Sequence, residues 1–284
     1  MLASRHHQSL LEYRRARYLK LALCLVVVAT VAYLWIDPTP RYPKHYGGTW
    51  LGYTLGTIAA LLMLWLMLLG IRKRRYGSRL GTVQGWTSAH VYLGGAVLVV
   101  ATLHAGFELG WNVHTLAWVL VLAVSASGVY GVLVYLRYPA LVTANLGDDT
   151  IDTLVLKVGE IDRECEALAM NLPDEVNALV MRARQSRVGG GLLRELRGER
   201  VRCPTREACT RLPAALAPKL STEQVRLGER LLAAMVRKRE LLARARRDLQ
   251  LRAAMRVWLL LHVPLSFGAI AALIAHVVSV FYFW

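Results

Sequence analysis

Five long apolar runs decide what this chain can fold into. They fall at about 19–36, 50–71, 89–108, 115–136 and 256–283, and none carries a Lys, Arg, Asp or Glu through its centre. A helix needs roughly 20 residues to cross the hydrocarbon layer of a bilayer. No water is available there to satisfy backbone N–H and C=O groups, so a spanning segment must satisfy them within itself. The expected fold is therefore all-α, a polytopic membrane bundle of five transmembrane helices. The first run follows the basic stretch "RRARYLK" and could be read as a secretory leader. It is longer than a signal core, and "WIDPTP" after it offers no small-x-small cleavage site, so it reads as a retained anchor.

Lys and Arg set the orientation. The N-terminal arm carries Arg5, Arg14, Arg15, Arg17 and Lys20, and the loop after the second run carries Arg72, Lys73, Arg74, Arg75 and Arg79. The loop before the second run has only Arg41 and Lys44, and "ELGWNVHT" has no basic residue beyond its histidine. This places the N-terminus in the cytoplasm and the C-terminus outside, as in a bacterial inner membrane. The formal net charge of +16 then reflects topology and contact with anionic lipid headgroups. No nucleic-acid motif accompanies it, which argues against DNA or RNA as a partner.

On this reading the chain divides into a basic arm (1–18), four transmembrane helices (19–137), a cytoplasmic insertion (138–254) and a fifth transmembrane helix (255–284). The insertion is polar. Leu154, Val158, Ile161, Cys165 and Leu168 recur at helical spacing, and a second helix opens at Pro173 and Asp174. The glycine- and proline-rich stretch from Arg187 to Leu220 reads as irregular. A further helix starts near Ser221 and carries Leu227, Leu231, Met235, Leu242, Ala245 and Leu249 along one side. Acids crowd the first helix and bases the last, as expected of a helical hairpin whose arms face each other. Cys203 and Cys209 are spaced C-x5-C, which is not the C-x2-C of zinc or iron–sulfur sites, and read as ordinary thiols. No dinucleotide-binding or phosphate-binding glycine motif is present.

Histidine is the chemically informative residue. His90 and His104 lie in the third run, fourteen residues apart, and His262 and His276 repeat that spacing in the fifth. Burying an imidazole in hydrocarbon is costly, so an intramembrane histidine calls for a partner. Fourteen residues bring a helix back to nearly the same face and advance it by about 21 Å. Runs three and five are parallel in the derived topology. His90 then faces His262 at the cytoplasmic level, and His104 faces His276 at the outer level. Each pair has the makings of the two axial imidazoles of a haem b iron, giving two haems. Arg72, Arg75, Arg79 and Arg137 inside, with Arg41 and Lys44 outside, are the basic residues near which propionates would fall. Zinc or copper would need ligands close together, and no acid or cysteine lies at either level. His45 and His114 in outer loops, and His6 and His7 in the arm, read as solvated. Gly94, Gly95, Gly106, Gly128 and Gly131 remove bulk where helices or a flat ring must approach, and Pro264 is expected to bend the fifth helix near His262.

"SAHVYLGGAVLVVATLHAG", "SASGVYGVLVYL" and "HVPLSFGAIAALIAH" together resemble the transmembrane domain of the ferric-reductase and NADPH-oxidase superfamily and of bacterial di-haem cytochromes b. The resemblance implies two stacked b-type haems that move electrons across the membrane, with His90, His104, His262 and His276 as axial ligands. Those reductases continue into a flavin and nicotinamide domain after the segment matching 256–283, whereas this sequence reaches Trp284 there. The expected role is thus an electron-transfer subunit. Its donor would be a redox partner protein docked on the insertion, or quinol, and its acceptor could be an extracytoplasmic cytochrome. Two alternatives stay open: a quinol-coupled reductase of metal or oxygen at the outer haem, with Glu108 as a proton relay, and a membrane scaffold without redox chemistry.

Overall fold

The structure is a computed structural model, described for residues 13–36, 47–75, 77, 79–198, 202–217 and 220–283. His6, His7, Arg41, Lys44, His45 and Trp284 lie outside these residues. The described chain is all-α, in the order α1 (Arg17–Trp35), α2 (Trp50–Arg74), α3 (Val83–Ala105), α4 (Val113–Leu146), α5 (Ile151–Ala169), α6 (Asp174–Arg184), α7 (Leu192–Arg197), α8 (Pro204–Ala215) and α9 (Thr222–Phe283). Five of these, α1, α2, α3, α4 and α9, have stretches long and apolar enough to cross a membrane. The protein is accordingly an integral membrane protein by length and composition. It forms two compact units, one of residues 1–132 and 259–284, the other of Leu133–Trp258.

In the first unit, local chemistry starts each helix. The Thr49 hydroxyl accepts from the Gly52 N–H at 3.0 Å and so caps α2. Thr82 does the same for α3 through Gly85, at 3.1 Å. Both satisfy a helix donor that would otherwise have no acceptor. The Thr82 hydroxyl also donates to the Tyr13 phenol at 2.9 Å. Tyr13 fits there because residue 85 is glycine: a Cβ at that position would lie 2.9 Å from its ring.

Small residues bring α1 and α3 together. Ala22 packs with Ala89, Leu93 and Ala96, and Ala29 packs with Val100 and Leu103 against Leu51, Leu55 and Ala59 of α2. Apolar side chains gain little by leaving lipid for protein, so close backbone approach and van der Waals contact hold membrane helices together. The outward faces stay greasy. Leu21, Val28, Leu61, Leu116, Leu260 and Phe267 are all exposed, as suits a surface solvated by hydrocarbon.

The second unit has an aqueous-type core. Leu154, Val158, Ile161, Cys165 and Leu168, the stripe read from sequence, are all buried on α5. Leu231, Met235, Leu242 and Ala245 are buried on α9. Opposite charges meet as well. Arg237 pairs with Glu164 at 3.0 Å, and Lys238, with no exposed side-chain surface, donates to Asp162 at 2.5 Å and to the Ala183 carbonyl at 2.8 Å. The two-arm hairpin is nevertheless too simple. The stretch read as irregular contains α7 and α8, and Ala208, Cys209, Leu212 and Ala215 of α8 join the core. Pro204 occupies the first turn of α8, where a missing N–H costs nothing. A proline taken as a breaker there marks a helix start instead.

Candidate metal centre

Helices α3, α4 and α9 assemble the histidines. The rings of His90 and His262 stand 6.4 Å apart between centroids, with 66° between their planes. Fourteen residues on, the rings of His104 and His276 stand 6.0 Å apart, at 71°. The structure thus brings together both expected pairs, His90 with His262 and His104 with His276. Two imidazoles binding one ion from opposite sides, each nitrogen about 2 Å from the metal, have ring centres roughly 6 Å apart. All four side chains are partly buried, and each lies in or beside the apolar stretch of its helix.

The ring nitrogens further from the backbone hold the chemistry, and the nearer ones fix it. The Nδ1–H of His90 donates to the Leu66 carbonyl at 3.1 Å, and that of His104 to the Gly52 carbonyl at 2.7 Å. A carbonyl can only accept, so in each neutral ring Nδ1 carries the proton and Nε2 keeps a free lone pair. His262 Nδ1 has a hydroxyl partner instead. The Ser127 hydroxyl lies 2.8 Å from the Val124 carbonyl and 2.7 Å from His262 Nδ1, and so anchors the ring. A metal-binding histidine typically has this second hydrogen bond, which selects the tautomer and raises the ligand's basicity. The spacing and donor set of His90 and His262 suit a metal held between two imidazoles.

Sequence reasoning placed α2 as a spanning helix but missed its part in the site. Gly52 and Leu66, the two carbonyl donors of electron density, are themselves fourteen residues apart. The helix runs antiparallel to α3, so their spacing matches that of the histidines they orient. Gly56 of the same helix clears space for His104: a Cβ there would lie 2.6 Å from the imidazole Cε1. By contrast, Gly95 has open space around it, and Gly94 comes no nearer than 4.0 Å to Leu66. Those two do not serve close helix packing. Gly106 ends α3 in the left-handed conformation, with φ 59°.

Basic residues are also redistributed. Arg72, read as a neighbour of propionates, is buried and spends its guanidinium on the Arg75 and Gly81 carbonyls, at 3.0 and 2.6 Å. It closes the turn between α2 and α3. Lys73 is the cation whose charge reaches both His90 and His262. Pro264 lies inside α9, which is helical on both sides of it, and the Ser266 hydroxyl donates to the His262 carbonyl at 2.7 Å. Glu108 is exposed just beyond α3.

His114 requires a larger correction. It does not stand off in solvent. It is partly buried in the first turn of α4, with its ring 5.2 Å from that of His104 and 4.8 Å from that of His276. The loop "ELGWN" is short enough to return the chain to the same end of the bundle. Its closure is local: the Asn112 side chain accepts from the Thr115 N–H at 2.8 Å, and the Thr115 hydroxyl from the Gly110 N–H at 3.0 Å.

In the second unit Cys165, Cys203 and Cys209 are buried free thiols. Burial alone would raise the Cys203 thiol, but the Arg206 N–H, the Arg246 charge and the Ser186 hydroxyl outweigh it and hold its pKa below the ordinary value. Burial pushes the Cys209 thiol up, and it donates to the Met235 carbonyl at 3.5 Å. Comparison with protein-family models, with curated proteins and with solved structures finds no match.

Proposed function

We propose that this protein is a membrane-embedded b-type cytochrome that transfers electrons between the two faces of the bilayer. The observation that carries the proposal is the geometry of the facing histidines: rings 6.0–6.4 Å apart, with His90 and His104 each turning Nε2 away from the carbonyl that holds Nδ1–H. Haem bound there supplies one-electron Fe(III)/Fe(II) chemistry. His90 and His262 would hold one haem b, and His104 and His276 a second, about 21 Å away along the helix axis.

The chain's own contribution is placement. Gly52, Leu66 and Ser127 hold the rings, and the apolar faces of α2, α3, α4 and α9 exclude water from between them. Lys73 supports the level of His90 and His262 as a counter-charge for propionate. Basic residues at the α2–α3 turn favour a cytoplasmic position for that level. The surface of the second unit offers a place for a soluble redox partner, and lipid-exposed faces offer access to quinone.

A reduced-minus-oxidised spectrum of the purified chain, with haem counted as pyridine haemochrome, tests this. Two haems b per chain are expected, unreactive to carbon monoxide as six-coordinate iron should be. His90→Ala or His262→Ala should each remove the same haem and leave the other. A colourless protein from haem-replete cells overturns the proposal and leaves a membrane scaffold. Turnover of ferric chelates with quinol by the isolated chain would assign a reductase instead of a carrier.

A further inference from the structure

The two histidine levels are not equivalent, because one has two imidazoles and the other has three. We infer that His104, His114 and His276 form a three-histidine site for a single transition-metal ion of the zinc and copper class, which competes with a second haem for the outer level. This rests on the reading of His104 and His276 as metal ligands, not on the presence of haem.

Three centroid separations, 6.0, 5.2 and 4.8 Å, define a triangle of rings. Their ligand nitrogens all lie within 4.8 Å of one another. Three imidazoles around a tetrahedral ion, with metal–nitrogen bonds near 2 Å, have ring centres roughly 5 Å apart. The triangle meets that geometry after side-chain movements of roughly 1 Å. The pair His90 and His262, at 6.4 Å, matches opposed ligation instead.

The same triangle bears on the haem. His114 is nearly equidistant from the other two rings and stands roughly 4 Å to the side of their midpoint, where the body of a macrocycle between them would lie. Seating haem at this level therefore requires the His114 ring to leave. An ion does not require it. Three neutral nitrogen ligands and a fourth position open to water or substrate suit Zn(II) and Cu(II), and the absence of carboxylates disfavours magnesium, calcium and manganese.

Glycine preserves the arrangement. Gly47 and Gly56 both abut His104, and a Cβ at either would come within 3.1 Å of its Cε1. The Nδ1–H of His104 is already committed to Gly52, which leaves Nε2 as the donor atom toward the cluster.

The test uses the full-length chain in detergent, titrated with Zn(II) alone and with Cu(II) alone. Bound metal is counted by mass spectrometry, haem by pyridine haemochrome, and Cu(II) coordination by electron paramagnetic resonance. The wild-type chain is expected to take up one ion per chain with nitrogen hyperfine structure from three imidazoles. His114→Ala should weaken that binding at least tenfold, and His276→Ala should do the same. The haem held by His90 and His262 serves as the folding check, since His114→Ala should leave it unchanged. Zinc added before haem should reduce haem uptake from two per chain toward one in the wild type but not in His114→Ala. Uptake of the ion equally by His114→Ala, or two haems in a wild type that binds no ion, overturns the inference and leaves the cytochrome reading intact. A colourless chain that still binds one ion through His114 has the opposite meaning. Preference for zinc or for copper is read directly from the two titrations.

Discussion

At the residue scale, one hydrogen bond per imidazole turns a greasy helix into a ligand platform. The Ser127 hydroxyl bridges His262 Nδ1, at 2.7 Å, and the Val124 carbonyl, at 2.8 Å. Ser127→Ala removes the hydrogen bond that orients the ring, so haem affinity at that level should fall by about 10–100-fold and the reduction potential should shift. Haem retention during dialysis and a redox titration check both. Gly56→Ala places a Cβ 2.6 Å from His104 Cε1. That displaces the ring, so metal or haem at the outer level should be lost while the spectrum of the level of His90 and His262 persists. The thiols of α8 make a third case. Burial raises the Cys209 pKa above its ordinary 9.0, so the folded state favours the neutral thiol. The stabilisation is complete below the unfolded pKa and is lost as pH rises through the folded value. Stability measured across pH 8 to pH 11 should therefore fall less steeply in Cys209→Ala than in the wild type.

At the element scale, much was legible. Helix periodicity is local, so five spanning stretches, the α5 stripe and the H-x13-H heights all follow from spacing alone. What sequence reading lost are features whose signal is not local. In α8, proline looks like a breaker, but its first-turn position makes it a starter, and only burial of Cys209 and Leu212 reveals the helix. In α2, glycine and leucine contribute through backbone carbonyls, which have no residue signature. Burial also marks an electrostatic commitment, Lys238 with Asp162 across α9 and α5. Asp162→Ala leaves an ammonium of zero exposure whose other acceptor, among the described residues, is the Ala183 carbonyl. The expected loss is about 3–5 kcal/mol, read as a lowered unfolding midpoint of the second unit.

At the scale of the whole molecule, five apolar helices and a charge asymmetry describe an integral membrane protein with a polar unit of about half the chain. The basic turn after α2 predicts which side that unit occupies. A cysteine introduced at Ser88 is buried and serves as the silent control, whereas one at Arg79 should react with an impermeant maleimide only in inverted vesicles. Labelling in right-side-out cells would reverse the assigned orientation. The sequence by itself determined the number of spanning stretches, their polar intervals and the equal heights of two histidine pairs, because helix rise and hydrophobic length are properties of a single segment. Only the tertiary structure decided which carbonyls orient each ring, that Arg72 closes a turn, and that His114 swings in to make the outer level a cluster of three. Those facts depend on the rotation and approach of neighbouring helices, which packing sets and no single segment encodes.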